Sequence, residues 1–230
     1  MVWVNTSFGG SYTLTMYSPD SATGNYWAKP DATLGNLVLG NYDQGVTTGT
    51  LGFWTMCVET NEYFWPGSTY NASIVDATAR NGGTNTTTGD PISVGTAYLY
   101  EQFALGNLQS LVPGFTYTIP NAARVQNMIW WLEGETGEST AGSDPALASL
   151  LTLKFGGSIS DPSAWKADYL GLDVKVMNLT RYDGPGGDGA TSYGDLRQDQ
   201  LVLWHVPDGG STVALLGMAL MGLYAFRRRR

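Results

Sequence analysis

Leu172-Asp-Val-Lys-Val176 alternates apolar with charged side chains, which is typical of a β-strand that buries one of its faces. The apolar run Leu201–Val206 can pair with it as an antiparallel hairpin across the glycine-rich stretch 183–194. Alternating or β-branched and aromatic residues also predict strands at Ser11–Ser18 and Leu51–Val58. The chain is therefore predicted to be mainly antiparallel β.

Three segments carry helical rather than strand patterns: Val94–Leu108, Ala122–Glu133 and Ala146–Lys154. Asn121 is the predicted N-cap of the second helix, and Asp144, followed by a proline, opens the third. We therefore predict an α+β, mostly β domain over residues 1–206. Its expected form is an antiparallel β-sandwich or barrel on which two or three helices pack.

The composition excludes several classes of function. The 230 residues are 43% hydrophobic, so the chain can bury a large core, and its net charge of −8 argues against a nucleic-acid partner. The single cysteine, Cys57, excludes an intrachain disulfide and a cysteine-rich zinc site. The single histidine, His205, excludes a histidine-based metal cluster. We predict a protein with no metal, no cofactor and no enzymatic activity.

The end of the chain carries a membrane signal. The 18 residues between Asp208 and Arg227 are uncharged and mostly apolar. At ~1.5 Å per helical residue they span about 27 Å, close to the roughly 30 Å hydrocarbon core of a bilayer. A basic cluster follows, formed by Arg227, Arg228, Arg229 and Arg230. The positive-inside rule places this cluster in the cytoplasm, so residues 207–230 form a single-pass C-terminal transmembrane anchor and residues 1–206 an ectodomain outside the cytoplasm.

The anchor is preceded by a short polar motif, which consists of Val206, Pro207, Asp208, Gly209 and Gly210. This motif, the apolar helix and the arginine cluster together resemble the PEP-CTERM sorting signal in its Val-Pro-Asp-x-Gly variant. The resemblance implies recognition by an exosortase, export, processing near the motif, and delivery to the bacterial cell surface, often beside extracellular polysaccharide. We expect a hydrophobic leader upstream of Met1 in an exported protein of this kind.

A second resemblance concerns Cys57 and Gln126. The helix Val125–Trp130 resembles the Thr-Gln-x-Ala-Ile-Trp motif of bacterial surface thioester domains, in which a cysteine attacks the glutamine amide and releases ammonia. The order of the two residues agrees, and Val58-Glu59 after the cysteine is similar in character to the family's Ile-Asp. The motif positions at Gln126, Ile129 and Trp130 match. Val125 and Met128 depart, because the motif has Thr and Ala there. The resemblance covers residues 50–133 and implies an internal Cys57–Gln126 thioester that a partner's amine can capture.

Other interpretations stay open. The aromatic residues near Cys57 and Gln126 are equally consistent with an ordinary core, in which case the domain is a non-covalent carbohydrate- or protein-binding β-sandwich. The acidic loop 183–189 fits either a calcium site or a plain hairpin connection. An extracellular hydrolase is a third alternative, and its candidate carboxylates are Glu59, Glu62, Glu133, Glu135 and Glu138.

The sequence thus predicts a non-enzymatic envelope protein that is exported, anchored at its C-terminus and sorted by an exosortase. Its expected role is either surface attachment (adhesion) or the organisation of the extracellular matrix. The expected partners are the exosortase, the membrane, and either extracellular polysaccharide or an amine-bearing surface partner.

Overall fold

A computed structural model describes residues 11–17, 25–30, 38–39, 42–43, 52–60, 63–74, 76–80, 89–135, 144–189 and 195–204. Within these ranges the chain forms ten strands and four helices. The strands are β1 (Ser11–Tyr17), β2 (Asn25–Pro30), β3 (Val38–Leu39), β4 (Tyr42–Asp43), β5 (Gly52–Met56), β6 (Thr69–Ile74), β7 (Thr78–Ala79), β8 (Asp90–Pro91), β9 (Val174–Arg181) and β10 (Gln200–Trp204). The helices are α1 (Val94–Ala104), α2 (Leu108–Leu111), α3 (Ile119–Glu133) and α4 (Pro145–Phe155).

Eight of the strands form one antiparallel sheet in the order β3-β10-β9-β6-β1-β2-β5-β4. An isolated antiparallel bridge between Cys57 and Gln200 joins the end of β5 to the start of β10. The six strands from β10 to β5 therefore curl into a nearly closed sheet, the barrel form of the two predicted architectures. The predicted hairpin is confirmed, since β9 pairs with β10 in a register that opposes Val176 to Leu201.

The nearly closed sheet has a core on each of its faces, because neighbouring side chains on a strand point in opposite directions. The inner core collects buried side chains from all six strands, among them Leu14, Phe53, Cys57, Tyr70 and Val202. The outer core packs the alternating residues, such as Met56 and Val176, against α1, α3 and α4. The helices therefore cover the outside of the sheet at β5, β9 and β10.

The first predicted helix is divided in two. Ser93 caps α1 by accepting a hydrogen bond from the Thr96 N–H at 3.1 Å. The helix ends at Ala104 instead of continuing to Leu108, because Gly106 adopts a φ of +79° that a continuing helix does not allow. A separate short helix, α2, begins at Leu108, where the predicted helix was to end, so the described part of the chain holds one helix more than the maximum predicted.

Local sequence signals predicted the start of α4 correctly but not the start of α3. Asp144 caps α4 as predicted, accepting hydrogen bonds from the N–H groups of Ala146 and Leu147. For α3 the predicted N-cap is wrong, because the helix begins at Ile119 after Thr118. The side chain of Asn121 donates instead to the carbonyl oxygen of Thr116 at 2.9 Å. A proline in the first helical turn lacks the N–H that is unpaired there anyway, which explains the earlier start.

Several predicted features lie outside the described residues: His205, the motif Val206–Gly210, the apolar segment 209–226 and the cluster Arg227–Arg230. In the ranges that are described, no helix has both the length and the apolar character needed to cross a bilayer. The boundary between residues 1–206 and 207–230 stays a prediction.

Candidate functional site

Cys57 lies where the end of β5 pairs with the start of β10 and closes the sheet; we call this Cys57–Gln200 junction the seam. It follows directly after β5, is fully buried, and contributes its side chain to the inner core. Its antiparallel bridge to Gln200 is flanked by a hydrogen bond from the Val58 N–H to the Asp199 carbonyl oxygen at 3.0 Å. This pattern marks Cys57 and Gln200 as a directly opposed, non-hydrogen-bonded pair, in which side chains lie closest.

Gln126 reaches this seam from α3. The Cys57 N–H donates to Oε1 of Gln126 at 2.7 Å, and Nε2 of Gln126 donates to the carbonyl oxygen of Cys57 at 2.8 Å. The described β2–β5 ladder ends one residue earlier, at the pair Asn25–Met56. The buried carboxamide of Gln126 thus continues the ladder as a strand neighbour would, which satisfies two buried backbone groups. The two residues of the predicted thioester are therefore in direct contact, although they lie 69 residues apart.

The sulfur of Cys57 has a separate partner that the sequence did not reveal. Nε2 of Gln200 donates to Sγ at 3.2 Å. Oε1 of Gln200 in turn accepts from the Thr55 hydroxyl at 3.3 Å, which also donates to the Leu201 carbonyl oxygen at 2.6 Å. The only sequence signal at Gln200 is the polar run 198–200 at the start of an apolar strand, and it does not indicate a cysteine partner; the bridge that closes the sheet places Gln200 opposite Cys57.

The Cys57 thiol is held in its neutral form. Burial away from water raises its pKa well above the ordinary value, and the negative charge of Glu59 raises it further. The hydrogen bond from Gln200 acts in the opposite direction. Because the thiolate is the form that oxidants attack, this environment slows oxidation of the sulfur.

Glu133 is one of the candidate hydrolase carboxylates. Its Oε1 accepts two hydrogen bonds from Ser93, one from the backbone N–H at 3.1 Å and one from the hydroxyl at 2.9 Å. Burial raises the pKa of Glu133 to about 7, and the charge of Asp90 adds to the effect. The nearby Thr96 hydroxyl and the hydrogen bonds from Ser93 lower that pKa and offset part of the shift. Glu133 therefore fixes the start of α1 from the end of α3.

Two more of these carboxylates lie near the seam. Oε2 of Glu135 accepts from the N–H and the hydroxyl of Thr60 at 2.9 and 3.0 Å. Glu59 is 1% exposed, and its backbone carbonyl oxygen accepts from the Gln198 side chain at 2.5 Å. A concentration of buried polar side chains thus surrounds Cys57. The remaining candidates, Glu62 and Glu138, lie outside the described residues.

The acidic loop 183–189 and its neighbours bind arginines. Arg197 and Asp188 form a bidentate ion pair with contacts of 2.5 and 3.1 Å, and both side chains are fully buried. Arg181 contacts Asp183 and Asp195 at 3.0 and 3.3 Å. In the described ranges no group of three or more His, Cys, Asp and Glu side chains is arranged to hold a metal ion. The two carboxylates of the loop thus pair with arginines, Asp183 with Arg181 and Asp188 with Arg197.

A second candidate site is a cavity of about 320 Å³ on the outer side, between α1, the end of α4 and residues 169–173. Its lining combines aromatic and charged side chains: Tyr98, Glu101, Lys154, Phe155, Tyr169 and Asp173. Three leucines adjacent to it in sequence, Leu153, Leu170 and Leu172, are 85%, 90% and 63% exposed. Exposed apolar residues beside a cavity are typical of a binding surface.

The comparisons with known proteins identify only the end of the chain. Residues 205–230 match the VPDSG-CTERM motif, a sorting signal of the PEP-CTERM type. The motif indicates an exported, membrane-anchored or cell-surface protein that an exosortase processes. No curated protein and no solved structure matches the chain. The comparisons give no support to the resemblance between residues 50–133 and thioester domains.

Proposed function

We propose that the folded domain of this exosortase-sorted protein forms an internal thioester between Cys57 and Gln126, and uses it for covalent surface attachment. The observation that carries the proposal is the pair of hydrogen bonds that holds the Gln126 carboxamide against the Cys57 backbone. The side-chain carbon that the sulfur must attack is thus held beside the residue that bears the sulfur. Such positioning accounts for a large part of the rate of an intramolecular reaction.

The reaction needs no other reactant. Sγ of Cys57 attacks Cδ of Gln126, so an S–C bond forms and the C–N bond of the amide breaks. The thiol proton passes to the departing nitrogen, which leaves as ammonia. A primary amine of a partner can later attack the same carbon, which forms an amide and returns a proton to the sulfur as the C–S bond breaks.

The surroundings of Cys57 suit a bond that water would destroy. Cys57 is part of the inner core, where Phe53 and Phe64 are also buried, and Trp130 of α3 packs against this core. Exclusion of water slows hydrolysis of a reactive acyl group. In an oxidising compartment an exposed thiol is oxidised. The buried, neutral thiol of Cys57 escapes this reaction and can still be acylated.

Intact mass spectrometry of the full chain tests this proposal. We expect the wild-type mass to be lower than the sequence mass by one ammonia, and Cys57→Ala and Gln126→Ala to show no such loss. Gln198→Ala is the matched control, because it removes another buried glutamine near the seam and leaves the reacting pair intact. Incubation with methylamine should then add one methylamine at Gln126 in the wild type and in Gln198→Ala, and none in Cys57→Ala or Gln126→Ala. A full wild-type mass with one titratable thiol in denaturant would contradict the proposal.

The outer cavity supports a second candidate function, the non-covalent binding of carbohydrate or protein. Tyr98, Phe155 and Tyr169 offer aromatic surface, and Glu101 and Asp173 offer hydrogen-bond acceptors. Binding of neutral oligosaccharides, measured by isothermal titration calorimetry, should persist in Cys57→Ala and weaken in Glu101→Gln. The thioester function predicts the opposite dependence, because only it requires the sulfur.

A further inference from the structure

We propose that Gln200 is the residue that directs the reactivity of Cys57: its side-chain N–H holds the sulfur and stabilises the negative charge that develops there when the thioester forms and when it opens. This inference rests on the proposed function and adds a residue to it. Neither the motif resemblance nor the C-terminal sorting signal involves Gln200.

The geometry fixes which end of the Gln200 amide meets the sulfur. Nε2 lies 3.2 Å from Sγ of Cys57, while Oε1 faces the hydroxyl of Thr55. The single proton of that hydroxyl is shared between Oε1 at 3.3 Å and the backbone carbonyl oxygen of Leu201 at 2.6 Å. Cys57, Thr55 and Gln200 are all completely buried, so no water competes for these contacts. The donor is therefore preorganised before any reaction begins.

The pairing of the end of β5 with the start of β10 places the Gln200 amide beside the sulfur. Cys57 and Gln200 oppose each other across the bridge that closes the sheet, and side chains of such a pair stand on the same face. Gln198 carries the same amide two residues earlier, yet it donates to the backbone carbonyl oxygen of Glu59. The chain thus contains a second buried glutamine whose amide N–H is engaged by the backbone of Glu59. It provides a matched control.

Negative charge on the sulfur must be stabilised both when the thioester forms and when an amine opens it. Attack on Gln126 develops negative charge on a sulfur that burial and the Glu59 carboxylate keep protonated. The hydrogen bond from Gln200 is the side-chain contact that favours the thiolate. When a partner's amine opens the thioester, the sulfur departs with the electron pair and meets the same N–H. Fixed donors aimed at developing charge act most strongly where water is excluded.

Refolding kinetics test the inference. The full chain is isolated unfolded from inclusion bodies, so that Gln126 still carries its amide. It is then refolded at a series of pH values and quenched at intervals for intact mass measurement of ammonia loss. We expect Gln200→Met to slow this loss roughly tenfold or more and to move the pH–rate profile to higher pH, since the thiolate is then harder to form. Gln198→Met should keep the wild-type profile. Gln200→Leu, which also lacks a side-chain N–H, should behave like Gln200→Met and replaces it if that variant does not fold.

The outcomes separate this inference from the proposed function. A wild-type chain that never loses ammonia overturns the proposed function and the role of Gln200 in it. A wild-type chain that loses ammonia while the Gln200 variants keep its rate and pH profile overturns the inference alone. The S–H stretching band gives a second measurement, because the chain has one cysteine. In a Gln126→Glu background, which keeps the thiol free, Gln200→Met should shift this band, and an unshifted band also overturns the inference.

Discussion

The side chain of Gln126 occupies the place of a strand beside Cys57, with hydrogen bonds of 2.7 and 2.8 Å to the N–H and the carbonyl oxygen of that single residue. One contact therefore has two consequences. It satisfies buried backbone groups at the seam of the sheet, and it brings the glutamine amide next to the cysteine. The structural consequence can be measured without reference to the proposed reaction.

We expect Gln126→Ala to destabilise the fold by about 2–4 kcal/mol, because it leaves the N–H and carbonyl oxygen of Cys57 buried without this partner. Urea unfolding, followed by tryptophan fluorescence in a Cys57→Ala background, measures the effect free of any thioester. Gln102→Ala is the control, because the side chain of Gln102 makes its contacts near the surface and should cost less than about 0.5 kcal/mol. Equal losses in the two variants would contradict the structural role of Gln126.

The ion pair between Arg197 and Asp188 should be sensitive to loss of one partner. Both side chains are fully buried, so Arg197→Met deprives the Asp188 carboxylate of its bidentate guanidinium partner and is expected to cost about 3–5 kcal/mol in the free energy of unfolding. Arg124→Met is the control, because Arg124 is 38% exposed and its partner Asp144 keeps two backbone donors. That change should cost at most about 1 kcal/mol.

A double variant checks the cause of the loss at Arg197. Combining Arg197→Met with Asp188→Leu removes both charges and should recover most of the stability in urea unfolding. If the double variant is as unstable as Arg197→Met, packing of the arginine side chain, rather than its charge, is what the loop needs.

Glu133 makes stability depend on pH. Its pKa is raised to about 7 in the folded state, so the folded protein binds a proton more tightly than the unfolded chain does. Stability is therefore highest below the unfolded pKa of about 4.3 and falls as the pH rises toward about 7. Glu133→Gln keeps an acceptor oxygen for Ser93 and avoids the buried charge. We expect it to be more stable than the wild type by about 2 kcal/mol at about pH 8, with a smaller difference at about pH 5.

Urea unfolding of both proteins at the two pH values measures this difference. A Glu133→Gln variant that is less stable than the wild type at the higher pH would show that the carboxylate is ionised and stabilised by its hydrogen bonds in the folded state.

Cys57 should resist thiol reagents while the protein is folded. The sulfur is completely buried and its pKa is raised, so we expect a water-soluble maleimide to react at least roughly a hundredfold more slowly than with an exposed cysteine. The comparison is Ser163→Cys in a Cys57→Ala background, since Ser163 is exposed. Fast labelling of folded wild-type protein would show that the seam opens readily. Labelling in denaturant distinguishes burial from acylation, because only a free thiol then reacts.

The sequence by itself determined those features that depend on neighbouring residues. Strand alternation predicted β1 and the β9–β10 hairpin, aromatic and β-branched residues predicted β5, and the Asp144-Pro145 pair predicted the start of α4. The C-terminal sorting signal was also readable, because its three parts follow one another along the chain. Where local signals competed, as Asn121 did with Thr118, a proline in the first turn decided the start of α3.

Only the tertiary structure decided what lies across the sheet. Alternation shows that a strand has a buried face, but not whether the sheet closes, and closure here depends on the bridge between Cys57 and Gln200. A resemblance suggested Cys57 and Gln126, whereas Gln200 and the Asp188–Arg197 pair carried no motif. The physical reason is that hydrogen bonds and ion pairs between distant residues follow from strand order and register, which are set by the packing of the whole core and not by any one segment.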